Sequence, residues 1–361
     1  MTCLNKNLKV PVKDSVRYLH LKDQIISDMK GRKLKNGDKF DSQRELMKKY
    51  SLSYSTVSSA LKELTDEGYI YRKHGSGTYV GHRLEKGKTC TIGIVHFMSS
   101  TEDFLTMALP SQILQGIHDE LQSYNWNIMI SSYNYSEPRI PAMIEDGLID
   151  GLIFTLGIDK RLKNIVDRID GIPFILAGNY VAGEKWPSVV ADNITGIRKS
   201  MEHLFALGHK NIAYMYRPCE HAGMEERFVE YKKSMIEKGL FNPEFVLGSE
   251  YSHEAFAKYL SIKDKVTAIC IAGDDWASKF MKYGAEKGIK VPETVSIIGY
   301  DDIPVALEMN PPLTTVRTDR NLLGRTTVRE LKDIIENKKS HHGLSRIPSE
   351  LVVRGTTAPV R

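Results

Sequence analysis

The chain has 361 residues, 41% of them hydrophobic, with 50 Lys and Arg against 45 Asp and Glu. At about 150 residues per domain that is two or three domains with a sizeable core. No run approaches the ~18 apolar residues of a membrane helix, and the opening MTCLNKNLKVPVKD has no apolar secretory segment, so a cytoplasmic protein without membrane contact is expected. The four cysteines (Cys3, Cys90, Cys219, Cys270) form no CxxC pair, which argues against zinc fingers and disulfide scaffolds. Charge is uneven: residues 1–90 hold 19 Lys and Arg against 10 Asp and Glu, and residues 91–361 hold 31 against 35. A basic head on a mildly acidic body suggests a polyanion-binding unit joined to something else.

In chain order, RYLHLKDQIISDMK (17–30) places Leu21, Ile25, Ile26 and Met29 at helical spacing. GRKLKNGDKF breaks that pattern. In DSQRELMKKY, Ser42 and Glu45 form a capping box that starts a second helix with Leu46 facing inward. Ser53 is a candidate N-cap for a third helix over 54–67, burying Val57, Ala60, Leu61 and Leu64. Two helices joined by a short turn read as helix-turn-helix, and Ser53, Tyr54, Ser55, Thr56 and Ser58 stand at the end that would meet base edges. Capping alone explains one or two of those hydroxyls.

YRKHGSGTYV (71–80) follows. Glycines beside cations suit either a phosphate-binding loop or a hairpin turn. A phosphate loop needs a helix after the glycines, and none is patterned there; strand formers flank the turn on both sides, so a hairpin is expected. Arg72 and Lys73 then become sequence-blind phosphate contacts, with His74 and Gly75 at the tip.

Helix, helix-turn-helix and basic hairpin make a winged helix. GDKFDSQREL, LSYSTVSSAL, LTDEGYI and GSGTYV together resemble the GntR-type winged-helix family. The resemblance implies that Ser42, Arg44 and the start of the third helix meet the major groove of duplex DNA and that the wing approaches the minor groove. The family's two helix arginines are Tyr54 and Ser58 here, so no operator sequence carries over.

GHRLEKGK is polar and reads as a linker, giving a head over 1–81, a linker over 82–90 and a body over 91–361. The body alternates strands (91–97, 126–132, 151–155, 173–177, 188–191, 211–215, 244–247, 267–272, 295–299) with helices (111–124, 195–207, 223–238, 252–261, 275–287, 321–336). Near-continuous apolar strands such as ICIAG and VSIIG require a parallel sheet covered on both faces, so the fold class is α/β multidomain. About 270 residues suggest two lobes.

From Thr91 to about Gly355 the body resembles the lactose/galactose-repressor family, whose core has the periplasmic sugar-binding fold. IDGLIF, IPFIL, VVADNITGIRKSMEHLFALGHKNIAYM, ERFVEYKKSM and KVPETVSIIGYDDIPVALEMNPPLTTV carry the likeness. The lobes are then expected at about 91–189 plus 302–318 and about 190–300 plus 320–361, with the effector between them. The resemblance implies that Phe97, Ser99 and Ser100 line the cleft and that Arg227 grips sugar hydroxyls. Asp274 stands in for the family's asparagine, with Asp275 capping the next helix. Asp301, in GYDD, faces the ligand. Glu230 replaces a family glycine, and Gly178, beside Asn179, replaces a strand-end aspartate. The physical case runs alongside: ligands of open α/β sheets bind beyond the carboxyl ends of strands, where Ser99, Asn179, Asp274 and Asp301 stand, and Phe97 or Trp276 could stack on a sugar ring.

Paired carboxylates at Asp274-Asp275 and Asp301-Asp302 raise an enzyme reading, but no histidine cluster, nucleophile order or GxGxxG accompanies them. No enzyme activity, metal or cofactor is expected, and the attached head opposes a transport receptor. The combination looks like the arabinose-repressor group: a homodimeric repressor of carbohydrate use, bound to operator DNA and released by a monosaccharide such as arabinose or fucose. An activator, or a regulator sensing a non-sugar metabolite, is the alternative.

Overall fold

The computed structural model describes residues 12–360 apart from 36, 67, 74–75, 82–88, 98–107, 134–141, 146–147, 156, 170, 220 and 337–342, with backbone alone for 12–20, 66, 108, 142 and 145. The chain divides into two compact units, Met1–Thr89 and Cys90–Arg361.

In the first unit, α1 (Val12–Gly31), α2 (Gln43–Tyr50) and α3 (Tyr54–Asp66) enclose one apolar core. Leu21, Ile25 and Met29 of α1 meet Leu46 of α2 and Val57, Ala60, Leu61 and Leu64 of α3. The expected capping box is present: Ser42 receives the Glu45 N–H, and the Ser42 N–H donates to Glu45 at 2.6 Å. Ser51, between α2 and α3, takes the left-handed conformation at φ 52°. Beyond α3, β2 (Ile70–Lys73) and β3 (Gly77–Val80) pair antiparallel, as the hairpin reading expected. A third strand had no sequence signal. Lys39–Phe40 (β1) pairs with β3 and puts Phe40 into the core. Two residues are too few for a periodicity; only the partner strand makes them a strand.

The second unit contains two six-stranded sheets. The first lobe begins with β4 (Thr91–His96), α4 (Ala108–Ser123), β5 (Asn127–Ser132), α5 (Ala142–Glu145), β6 (Gly151–Thr155), α6 (Lys163–Val166), β7 (Phe174–Ala177) and β8 (Ser188–Ala191). The chain then crosses into the second lobe for α7 (Asn193–Ala206), β9 (Ile212–Tyr216), α8 (Ala222–Glu237), β10 (Val246–Gly248), α9 (Ser252–Ile262), β11 (Ala268–Ile271), α10 (Asp274–Glu286), β12 (Ser296–Asp301), α11 (Val305–Glu308) and β13 (Thr314–Thr318). It returns to the first lobe for α12 (Arg320–Ile335) and β14 (Leu344–Ile347), and ends in the second with β15 (Ser349–Val352).

The first sheet runs β14-β8-β7-β6-β4-β5, all parallel. The second runs β10-β9-β11-β12-β13-β15, parallel except for the last pair. The strands read from apolar runs all appear within two residues of their expected ends, with the largest offsets in the runs starting at 244 and 295. Pro243–Phe245 is a 3-10 turn, so β10 starts at Val246, and β12 extends to Asp301.

The expected lobe boundaries need correction. β13 is the parallel neighbour of β12, so 302–318 belongs to the second lobe and not the first. α12 packs on α4, and β14 pairs with β8, so these two elements belong to the first lobe and not the second. The crossings fall at Asp192, Asp319 and Pro348. Asp192 caps α7 by accepting from the Thr195 N–H at 3.0 Å, and Asp319 caps α12 by accepting from the Leu322 N–H at 2.8 Å. The α4–α12 packing is close because each helix offers a glycine: a Cβ at Gly116 would collide with the Asn321 carbonyl, and one at Gly324 with the backbone of Ile113 and Ile117.

Candidate functional site

Two surfaces collect the expected functional residues, one in each unit. In the head, Ser42, Arg44, Ser53, Tyr54 and Ser55 are exposed and Thr56 and Ser58 half-buried, with Tyr54 65% exposed. Part of the hydroxyl cluster is structural. The Ser53 hydroxyl accepts from the Thr56 N–H at 3.3 Å and lies 3.0 Å from the Ser55 and 2.8 Å from the Thr56 hydroxyl. Capping thus engages three of the five side chains; Tyr54 and Ser58 stand outside that cluster. On the wing, Tyr71 stacks on Tyr79 at 5.7 Å, and the Lys73 ammonium sits 5.0 Å from the Tyr79 ring centre. Arg72 and Lys73 are exposed, so the hairpin presents two cations on a stiff aromatic base. His74 and Gly75 lie outside the described residues.

In the body, the carboxyl ends of both sheets face a common cleft. Phe97 follows β4, stacked on Phe154 and edge-on to Tyr133 at 5.7 Å, half-buried in the first-lobe core. Ser99 and Ser100 lie outside the described residues. Asn179, after β7, is 1% exposed; its amide donates to the Ile158 carbonyl at 2.8 Å, and its Oδ1 is buried with no acceptor role filled.

Arg227, on α8, is the centre of the second lobe's contribution. Its Nε donates to Asn193 Oδ1 and its Nη1 to the Ala272 carbonyl, both at 2.8 Å. The guanidinium lies 3.6 Å from the Tyr300 ring centre and reaches Asp301 Oδ1 at 3.5 Å. Asp301 also accepts from Arg320 Nη2 at 2.9 Å. Asp301 and Asp302 both have positive φ, 112° and 53°, a strained turn at the end of β12 that aims the carboxylate inward.

Two expectations are corrected. Asp274 is fully buried: its Oδ1 accepts from the Thr315 hydroxyl at 2.6 Å and its Oδ2 from the Ile303 N–H at 3.1 Å. It anchors the β12–α11 turn, and the helix opens at Asp274 itself with Gly273 as N-cap, so Asp275 is not the cap. Burial pushes the Asp274 carboxyl up to about 7. Trp276, in the first turn of α10, is half-buried and packs against the second-lobe core. The carboxylate pairs suggest no catalysis: Asp302 is bound by Arg354 at 2.7 Å and Asp301 by the two arginines. Glu230, in place of the family glycine, is accommodated by an ion pair with Arg198 at 2.9 Å.

Several contributors escaped sequence reading. Arg320 begins α12. Glu226, beside Arg227 in MEERF, accepts from Tyr180 at 2.9 Å, from Asn193 at 3.0 Å and from both terminal nitrogens of Arg346. Tyr180 and Arg346 come from the first lobe and Glu226 from the second, so this carboxylate clasps the lobes together. No local pattern links residues 46 and 120 positions apart. His221, at the head of α8, is held down to about 4 by burial and by the charges of Arg227 and Arg320. A hollow of about 350 Å³ opens between Asp159 and Tyr180 on one side and Cys219, His221 and Glu225 on the other. A larger depression of about 850 Å³ lies at the crossings, with Gln112, Asp301, Thr318 and Arg320 on its wall.

Comparisons with known proteins agree with this architecture. Residues 17–80 match the family described as bacterial regulatory proteins, gntR family, and residues 201–357 the periplasmic binding protein-like domain. The chain is 26% identical over 369 residues to an arabinose metabolism transcriptional repressor of Geobacillus stearothermophilus, covering 95% of this chain and 98% of that one. It is 25% identical over 325 residues to the HTH-type transcriptional repressor CytR of Escherichia coli K12, covering 87% and 91%. Among solved structures, a transcriptional regulator CelR–cellobiose complex superposes with TM-score 0.66 at 21% identity, covering 85% and 92%. A LacI family regulator from Enterococcus faecium with bound ribose superposes with TM-score 0.64 at 23% identity, covering 75% and 100%. Among the described residues no helix is long and apolar enough to cross a membrane. The chain is therefore a transcriptional regulator, not an enzyme, joining a winged-helix head that matches the gntR family to a periplasmic binding protein-like body.

Proposed function

We propose that this regulator is a cytoplasmic, homodimeric repressor of carbohydrate use, released from operator DNA when a monosaccharide occupies the interlobe cleft. The observation that carries the reading is the buried Arg227–Asp301 pair at the junction of the lobes, beside Asn193 of the second lobe and the Arg320 donor of the first. Such groups supply convergent charge-assisted hydrogen bonds to hydroxyls. The arabinose repressor and the cellobiose- and ribose-bound neighbours support it. One winged helix contacts too little DNA for tight specific binding, so two heads on two half-sites are required. Arg44, the start of α3, Arg72 and Lys73 meet the DNA. A sugar shifts the equilibrium only by its differential affinity for the DNA-bound and released states, typically ~1–3 kcal/mol of coupling.

The test starts from duplexes that the full-length protein selects out of a random pool. Their mobility shift is expected to show a two-fold symmetric site, to weaken in Arg44→Ala, and to be reversed by at least one member of a panel of pentoses, hexoses, deoxyhexoses and their acids. If no member changes DNA affinity or melting temperature, the sugar-responsive reading fails.

A further inference from the structure

We propose, resting on the monosaccharide reading above and narrowing it, that the effector carries an anionic group, a carboxylate or a phosphate, which pairs with Arg320 in the cleft. The first ground is the charge inventory. Arg227 and Arg320 are 7% and 6% exposed, and both lean on one oxygen of one carboxylate, Asp301 Oδ1. The other acids nearby are spent. Asp302 is bound by Arg354, Glu226 by Arg346, and exposed Asp319 caps its helix. Asp274 is held by Thr315 and the Ile303 N–H. Two buried guanidiniums therefore share a single negative charge. A buried charge without its own counter-ion is costly, and a bound anion would remove that cost.

The second ground is the count of donors. Arg227 is well served by Asn193, the Ala272 carbonyl and the face of Tyr300. Arg320 bonds Asp301 through Nη2, but its Nε is buried with no acceptor. A guanidinium fork donates two parallel hydrogen bonds to a carboxylate or phosphate, a geometry that a neutral hydroxyl cannot match. The third ground is the field: burial together with the repulsion of Arg227 pulls Arg320 down although Asp301 opposes this, and burial with the same two cations depresses His221. Arg320 and Asp301 also line the depression of about 850 Å³ at the crossings, where Lys199 and Arg317 stand with the acids Asp302, Asp319 and Glu350, each of them already held by an arginine or by a helix cap.

The experiment is calorimetry on the full-length protein with matched pairs: galacturonate and galactose, glucuronate and glucose, ribose 5-phosphate and ribose. In at least one pair the acid is expected to bind about 10-fold or more tightly than its neutral twin, with a salt-dependent affinity. Whether the uronates or the phosphate show the effect distinguishes the two anion sources. In Arg320→Gln the acid preference should shrink to within about 3-fold; the wild-type pairs decide the matter alone if that variant does not fold. Neutral twins binding as tightly as the acids would overturn the anionic effector and leave the monosaccharide reading standing. Failure of every acid and every neutral sugar would overturn both.

Discussion

Replacing Gly324 by Ala sets two opposed effects against each other. In a helix interior the change should stabilise by about 0.8–1 kcal/mol through backbone entropy. Here the new methyl would lie 2.8 Å from the Ile117 nitrogen and 3.1 Å from the Gly116 carbonyl carbon, and well inside contact with the Ile113 carbonyl oxygen. Those are backbone atoms of a neighbouring helix and cannot rotate away. Relief requires α12 and α4 to separate by about an ångström, loosening a contact that buries Ile113, Ile117, Leu323 and Val328. Overpacking of this kind costs ~1–3 kcal/mol and more where backbone must move, so strain wins over propensity. Gly324→Ala should lower Tm by about 3–6 °C in a thermal melt followed by circular dichroism. Gly284→Ala is the internal control: its added methyl would meet Ile289 at an ordinary 3.5 Å, so propensity should prevail and Tm should hold or rise. If Gly324→Ala were as stable as wild type, the close-approach argument would be wrong.

Two further outcomes are expected. The Asp274 carboxyl is raised from 3.8 to about 7 by burial, so the folded state holds its proton more tightly between those values; the stability it contributes is present in acid, falls as pH rises through 4–7 and is lost above, a swing on the order of 4 kcal/mol. His221 works oppositely in the same window, being depressed from 6.5 to about 4, so the comparison is between wild type and Asp274→Asn: the variant should gain relative stability from pH 5 to pH 8 in urea titrations, and parallel curves would refute the linkage. Glu226→Gln should weaken the clasp from Tyr180 and Arg346 by about 1–3 kcal/mol, seen as faster hydrogen exchange at 344–347; unaltered protection there would show that the clasp does not hold the lobes.

Legibility followed the range of the interactions. The capping box at Ser42 and Glu45, the helical core positions from Leu21 to Leu64 and the turn in GSGTYV are local, and each was readable from neighbours in the chain. The apolar strands of the body were readable for a different reason: burial on both faces leaves an uninterrupted hydrophobic run. β13, β14 and β15 carried no such run. Thr314–Thr318 has threonine at three of its five positions, and LSRIPSELV serves two sheets on either side of one proline. At the site, Arg227 and Asp301 were found through motifs. Asp274 was misread because its sequence position, after a strand and before a helix, is equally that of a buried anchor.

The amino-acid order thus decided what each segment is: helix, strand, turn, basic wing or apolar sheet. Its patterns also identified both halves as parts of a regulator, because those features depend on periodicity and on residues a few positions apart. Only the tertiary structure decided to which lobe β13, α12 and β14 belong, that Glu226 joins Tyr180 to Arg346, and that Arg320 and Arg227 share one carboxylate. Those facts depend on which sheet edge a strand finds and on which side chains meet across a cleft, and distance along the chain places no constraint on either.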